Sequence, residues 1–165
     1  MKTKYLFLAA IIFAGGILIV VHLSGSEEKK VKKQFTLLSE LASKDPNESI
    51  ITTAQKMQKI GTLFDKPCEL KTHLDYLSGT FTPEEIMSHG AQGRALFSKF
   101  SLHFSDLKVE FPEEGLAKVT LTLRASGTLT HSQQVDEIHE VESTLRKIEK
   151  RWFFNSFQVV EVLKR

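Results

Sequence analysis

The stretch TLRKIEKRWFFNSFQVVEV, residues 144–162, decides how the rest of the chain is read. A strand running from Val135 to about Lys150 meets a tight joint at Glu149-Lys150-Arg151, and a second strand runs from Trp152 to Leu163. The two form a hairpin. Immediately upstream, Ala117, Val119, Leu121, Leu123 and Ala125 alternate with Lys118, Thr120, Thr122 and Arg124, the pattern of a half-buried strand. Pro112-Glu113-Glu114-Gly115 is a turn. Before it, Leu107, Val109 and Phe111 share one face while Leu102 and Phe104 fall in the other phase, so a β-bulge is expected at Ser105-Asp106.

The first hundred residues read differently. Thr82-Pro83-Glu84-Glu85 starts a helix: Thr82 accepts from the backbone of Glu85, Glu85 reaches back, and Pro83 fits the first helical position. That helix carries Ile86, Met87, Gly90, Ala91, Arg94, Leu96 and Phe97 and is expected to reach about Lys99. Gly90 and Gly93 cost it about 1 kcal/mol each relative to Ala, which points to close packing or to a weak helix. Cys68 to Tyr76 reads as a short strand. Ser49 caps a helix bearing Ile50, Ala54 and Met57, with Gly61 as its expected stop. Around 27–43, Val31, Phe35, Leu38 and Ala42 form the apolar stripe of an amphipathic helix.

Composition narrows the function. The 165 residues are 41% hydrophobic and 25% charged, ordinary for one globular domain. Of 22 Lys and Arg, Lys2 and Lys4 precede the first apolar run, which leaves 20 basic against 20 acidic side chains. A neutral domain lacks the positive field that nucleic acid requires. The single cysteine, Cys68, excludes an internal disulfide and reads as a buried thiol. Tyr5 to Leu23 is long enough, as a helix, to cross most of a bilayer's ~30 Å hydrocarbon core. Residues 1–26 therefore read as a single-pass anchor, with a signal peptide as the competing reading, and 27–165 as the folded domain. Lys29, Lys30, Lys32 and Lys33 sit where anionic headgroups would lie. The expected location is the inner membrane, with the domain outside the cytoplasm.

The order helix, helix, short strand, helix and four long strands resembles the nuclear transport factor 2-like (SnoaL-like, cystatin-like cone) superfamily, in particular bacterial membrane-anchored members. The closing hairpin carries the resemblance through Trp152, Phe154, Val159, Val160 and Val162. LSGTFTPEEIMSH (77–89) and FSDLKVEFPEEGLAKVTLTL (104–123) are similar to the third helix start and the middle hairpin. The resemblance implies an α+β cone, about three helices packed on a strongly curved, mostly antiparallel sheet. It also implies that enzymatic members place an Asp, His or Tyr inside the cone.

Candidate groups of that kind are Glu137 with His139, spaced two apart on one strand, and His73 with Asp75 on the short strand. Each has a plainer reading. Residues 136–142 are polar in both phases, as at an exposed strand end, and a turn follows Asp75 directly. His103 is expected to face water, as are His89 and the turn residue His131, with His22 at the membrane edge. Trp152, Phe154 and Phe157 either line an apolar pocket or interface or fill the core. No phosphate-loop, dinucleotide, zincin, serine-hydrolase, CxxC or EF-hand motif is present, and no metal or cofactor is expected. The leading expectation is a membrane-anchored, non-catalytic binding or scaffold module, working through protein contacts on the sheet face, a homodimer or an apolar ligand in the cone. A small-molecule isomerase or dehydratase with a buried His, Asp or Glu is the alternative. A subunit of a cell-envelope secretion apparatus is a third reading.

Overall fold

The closing hairpin forms as its sequence dictates. In the computed structural model, which describes residues 25–72 and 78–162, one strand covers Gln134–Ile148 and the next Arg151–Val162. Glu149 (φ 47°) and Lys150 (φ 70°) join them, both left-handed, as a two-residue turn matched to strand twist requires. The chain divides into two compact units, residues 1–30 and 31–165. The described part of the first is 25–30, where Lys30 Nζ donates to Glu27 Oε1 at 2.7 Å.

Helix α1 covers 25–42, α2 Ile50–Gly61 and α3 Pro83–Ala95. The strands are β1 Phe64–Lys71, β2 Gly79–Phe81, β3 Phe97–Glu113, β4 Leu116–Leu129, β5 Gln134–Ile148 and β6 Arg151–Val162. They make one curved sheet in the order β2-β1-β6-β5-β4-β3. The β1–β6 pair is parallel and the other four pairs are antiparallel. This is the expected α+β arrangement of three helices on a curved, mostly antiparallel sheet. The apolar run 5–23, expected to cross a membrane, lies outside the described residues. Among those described, no helix is long and apolar enough to do so.

Alternation drives the core. Ala117, Val119 and Leu121 on β4 and Val141 and Leu145 on β5 are almost wholly buried, while Lys118 between them is exposed. The α1 stripe Val31, Phe35, Leu38 and Leu41 joins the same cluster. Asp106 (φ 56°) stands in a break of the β3–β4 register between Ser105 and Lys108, the bulge that the phase slip foretold. The Thr82 capping box is formed, with Glu85 N donating to Thr82 Oγ1 at 3.2 Å and Thr82 N to Glu85 Oε2 at 2.8 Å. These bonds hold the Glu85 carboxyl below its ordinary pKa.

Several local expectations change. β1 starts at Phe64 rather than Cys68, because pairing with β6 fixes it there, and the three-residue β2 had no signal of its own. Helix α3 stops at Ala95, since Phe97 already pairs with Leu129. Helix α2 does end at Gly61, as expected, and the bare Cα there admits Met87, whose Sδ would sit 2.6 Å from an added Cβ. Gly90 faces Met57, whereas nothing approaches Gly93.

The end of α1 also runs along the outer side of β3. Lys44 N donates to Phe100 O at 2.8 Å and Phe100 N to Lys44 O at 3.0 Å. Ser39 Oγ donates to Leu102 O at 2.5 Å, and Leu102 N to Ser43 Oγ at 3.1 Å. Gly127 on β4 is equally constrained, because a Cβ there would lie 2.4 Å from the Lys99 carbonyl oxygen and 3.2 Å from Phe100 Cα. Backbone cannot swing aside as a side chain can. Gly127→Ala is expected to cost about 1–3 kcal/mol, read as a lowered urea midpoint with unchanged m. An unchanged midpoint would mean that β3 yields freely.

Candidate functional site

Strand β5 turns its odd-numbered residues toward the helices: Val141, Ser143 and Leu145 are buried, and His139 and Glu137 continue the same phase. Register then sets the neighbours. His139 lies opposite Leu123 on β4, and Leu123 lies opposite Phe104 on β3, so the imidazole ends an apolar row. Its side chain is 18% exposed, against 63% for Glu137 at the rim.

His139 Nε2 is 3.1 Å from Glu137 Oε2. An ionised carboxylate can only accept, so the pairing puts a proton on Nε2 and leaves the lone pair of the neutral ring on Nδ1. That Nδ1 is buried and has no hydrogen-bond partner among the described residues. Glu137 therefore orients the ring, and the ring keeps a basic nitrogen free of protein donors in apolar surroundings. A general base needs this arrangement. Because Nδ1 is covered, a reacting molecule reaches it only if neighbouring side chains move.

Deeper between helices and sheet, aromatic rings pack closely. Phe35 packs edge-on against Phe104 and Phe154, with ring centroids 5.4 and 4.9 Å apart. Trp152 and Phe154 are 4% and 0% exposed, so both belong to the core, and Phe157 packs partly buried against it. Among the described residues, the buried polar ones are Arg94 and Ser143, and Ser143 Oγ donates to the Ser156 carbonyl at 2.8 Å. A hollow of about 290 Å³ lies between α1 and β3, bounded by Phe35, Ser39, Phe104 and Leu107. It shares Phe104 with the row that His139 ends.

Of the other expected groups, His73, Asp75 and His22 lie outside the described residues. His103 is exposed, His131 pairs with Gln133 at 3.1 Å in its turn, and His89 is exposed with its ring against Phe81. Cys68 is buried, and burial pushes its thiol up to about 12, with Asp65 and Glu69 adding to the shift. No three His, Cys, Asp or Glu residues converge as metal ligands among the described residues.

A polar cluster joining α1, α2 and α3 was not anticipated. The Arg94 guanidinium donates to the carbonyls of Leu41, Ala42 and Ser43 and pairs with the Glu48 carboxylate. Lys56 Nζ reaches Glu48 Oε2 at 2.5 Å. The available signal was a charge in phase with the apolar stripe of α3.

No protein-family model matches the sequence, and no curated protein matches it. Solved structures do match. A putative scytalone dehydratase from Novosphingobium aromaticivorans superposes with a TM-score of 0.67 at 16% identity, covering 87% of this chain and 89% of its own. A hexachlorocyclohexane dehydrochlorinase from Novosphingobium barchaimii gives 0.63 at 11% identity, covering 84% and 89%. An uncharacterised Caulobacter vibrioides protein with a cystatin-like fold gives 0.58 at 8%, covering 86% and 89%. Identities this low speak for the fold alone, the cystatin-like fold named for the Caulobacter protein. They also correct the expectation that the chain is not an enzyme. A dehydratase and a dehydrochlorinase share the architecture over most of its length, so the fold offers no ground for a non-catalytic assignment.

Proposed function

We propose that this chain catalyses an elimination or isomerisation on a small, mainly apolar molecule, with His139 as the base and Glu137 orienting it. One observation carries the reading: the imidazole is bonded to a carboxylate through Nε2, while Nδ1 stays unpaired in an apolar row. The names of two similar structures support the reaction class. A dehydratase removes water and a dehydrochlorinase removes HCl, and a base that takes a proton from carbon serves either loss. In this scheme Nδ1 takes that proton, the C–H electron pair becomes the new C=C bond, and hydroxide or chloride leaves the neighbouring carbon. Glu137 stabilises the imidazolium that forms. In an isomerisation the same proton returns at another carbon.

The test is turnover of a panel of β-hydroxy ketones and polychlorinated cyclohexanes, followed by alkene absorbance and chloride release. His139→Gln is expected to lower turnover by about 10²-fold, and Glu137→Gln by roughly tenfold. Turnover in His139→Gln equal to that of the parent would remove the imidazole from the mechanism. A panel wholly unturned by the parent chain would remove the reaction class.

A further inference from the structure

A second hollow, of about 330 Å³, opens between α2, the start of α3 and the first residues of β1 and β6. A fault in the sheet makes it. The β1–β6 register jumps from Phe64↔Phe154 to Glu69↔Ser156, so β1 advances five residues while β6 advances two. Residues 65–68 are left without partners on β6, and Lys66 sits within that excursion. Asp65 turns back on it, with Oδ1 accepting from Lys66 N at 2.8 Å and Oδ2 lying 3.5 Å from Arg146.

The lining has two chemistries. Phe64, Met87 and Phe153 supply apolar surface, and Lys66 and Arg151 supply positive charge, with Glu84 as the acidic member. Arg151 lies over the Phe153 ring at 5.2 Å, which fixes its guanidinium at the mouth. Several basic residues on the sheet are answered: Lys71 by Glu69, Lys118 by Glu142, Arg124 by Asp136, Arg146 by Asp65. Lys66 Nζ and the Arg151 guanidinium have no carboxylate partner among the described residues. Two unanswered cations over an apolar floor match a flat apolar body carrying one anionic group. The volume falls at the lower end of the ~300–1,000 Å³ usual for ligand cavities.

We propose that this hollow binds a small aromatic carboxylate, with its carboxylate on Arg151 and Lys66 and its ring against Met87 and Phe153. The site is separate from the Glu137–His139 pair. Register places Arg151 opposite Ile148 and His139 opposite Val162, at the two ends of the β5–β6 hairpin. The proposal does not depend on the catalytic reading, and either stands without the other.

The experiment titrates the full chain with 3-phenylpropionate and, in parallel, with neutral 3-phenylpropanol, by isothermal calorimetry. Trp152, the single tryptophan, adjoins both Arg151 and Phe153 and gives a second readout by fluorescence. The expected result is one saturable site for the carboxylate, with the alcohol at least tenfold weaker, a difference of about 1.4 kcal/mol. Arg151→Gln and Lys66→Gln should each weaken the carboxylate about tenfold while melting as the parent does, since both side chains are exposed. His139→Gln should leave binding unchanged. Equal binding of the alcohol, undiminished binding in both Gln variants, or no saturation by roughly 10 mM would overturn the proposal. Binding lost in His139→Gln but kept in Arg151→Gln would move the ligand to the other end of the hairpin, and would equally overturn it.

Discussion

Arg94→Met is expected to lower the unfolding free energy by about 3–5 kcal/mol, because it removes one of two cations from a buried carboxylate and leaves helix-end carbonyls unanswered. The Arg94 and Glu48 side chains are 5% and 4% exposed. Beyond that pair, one guanidinium nitrogen serves Leu41, Ala42 and Ser43 at 2.6, 2.8 and 3.0 Å, at the end of α1 where helical carbonyls lack partners. Met fills much of the volume and answers none of these oxygens. Glu48 then keeps only Lys56 and Thr53. Urea denaturation of Arg94→Met, Glu48→Gln and the double variant separates the contributions, and the double should recover part of the loss. A loss under about 1 kcal/mol for Arg94→Met would show the cluster to be dispensable.

The same cluster sets an acid limit. Burial alone would raise the Glu48 pKa, but hydrogen bonds from Lys56 and Thr53 and the charges of Arg94 and Lys56 outweigh it and hold the carboxyl below its ordinary range. A carboxyl depressed in the folded state contributes stability that is present above the unfolded pKa of about 4.3 and is lost as pH falls through the folded value. The urea midpoint should therefore drop as pH is taken below about 4, and Glu48→Gln should flatten that decline.

Phe154→Ala is the other large loss, about 3–5 kcal/mol. Its ring is wholly buried and sits 4.9 Å from Phe35, 5.4 Å from Phe64 and 5.0 Å from Phe157. It thus ties α1 to both the parallel and the antiparallel parts of the sheet. Deleting it opens a cavity that three other rings cannot collapse into without leaving their own contacts. Phe154→Leu should cost about 1–2 kcal/mol, and the gap between the two variants measures how rigid the walls are. Near-equal melting of Phe154→Ala and the parent would mean that this ring is not central to the core.

Legibility in the sequence followed the range of the interaction. The alternation from Ala117 to Ala125, the slip at Ser105-Asp106 and the Thr82–Glu85 cap are set by neighbours a few residues away, and each could be read. The span of β1 could not, because its partner Phe154 is 90 residues from Phe64 along the chain. Glu48 and Arg94, 46 residues apart, meet only once α1, α2 and α3 have packed. Glu137 and His139 fell between these cases. Their common face followed from a spacing of two, whereas the covered, unpaired Nδ1 depends on the row that ends at His139. Trp152 and Phe154 admitted two readings, pocket wall or core; both are buried, Phe154 against Phe35 and Trp152 against Phe111.

β3 is the outermost strand on its side of the sheet, and a 17-residue strand in that place would ordinarily template the addition of another chain. Here the N–H and C=O of Phe100 and Leu102 are already engaged by residues 39–44 of the same molecule. Asp106 breaks the ladder further on, and the exposed Lys99 and Lys108 put like charges along the rest. Fibril-type growth and strand exchange are thereby discouraged along β3, so the bonds that anchor α1 also act as protection against aggregation.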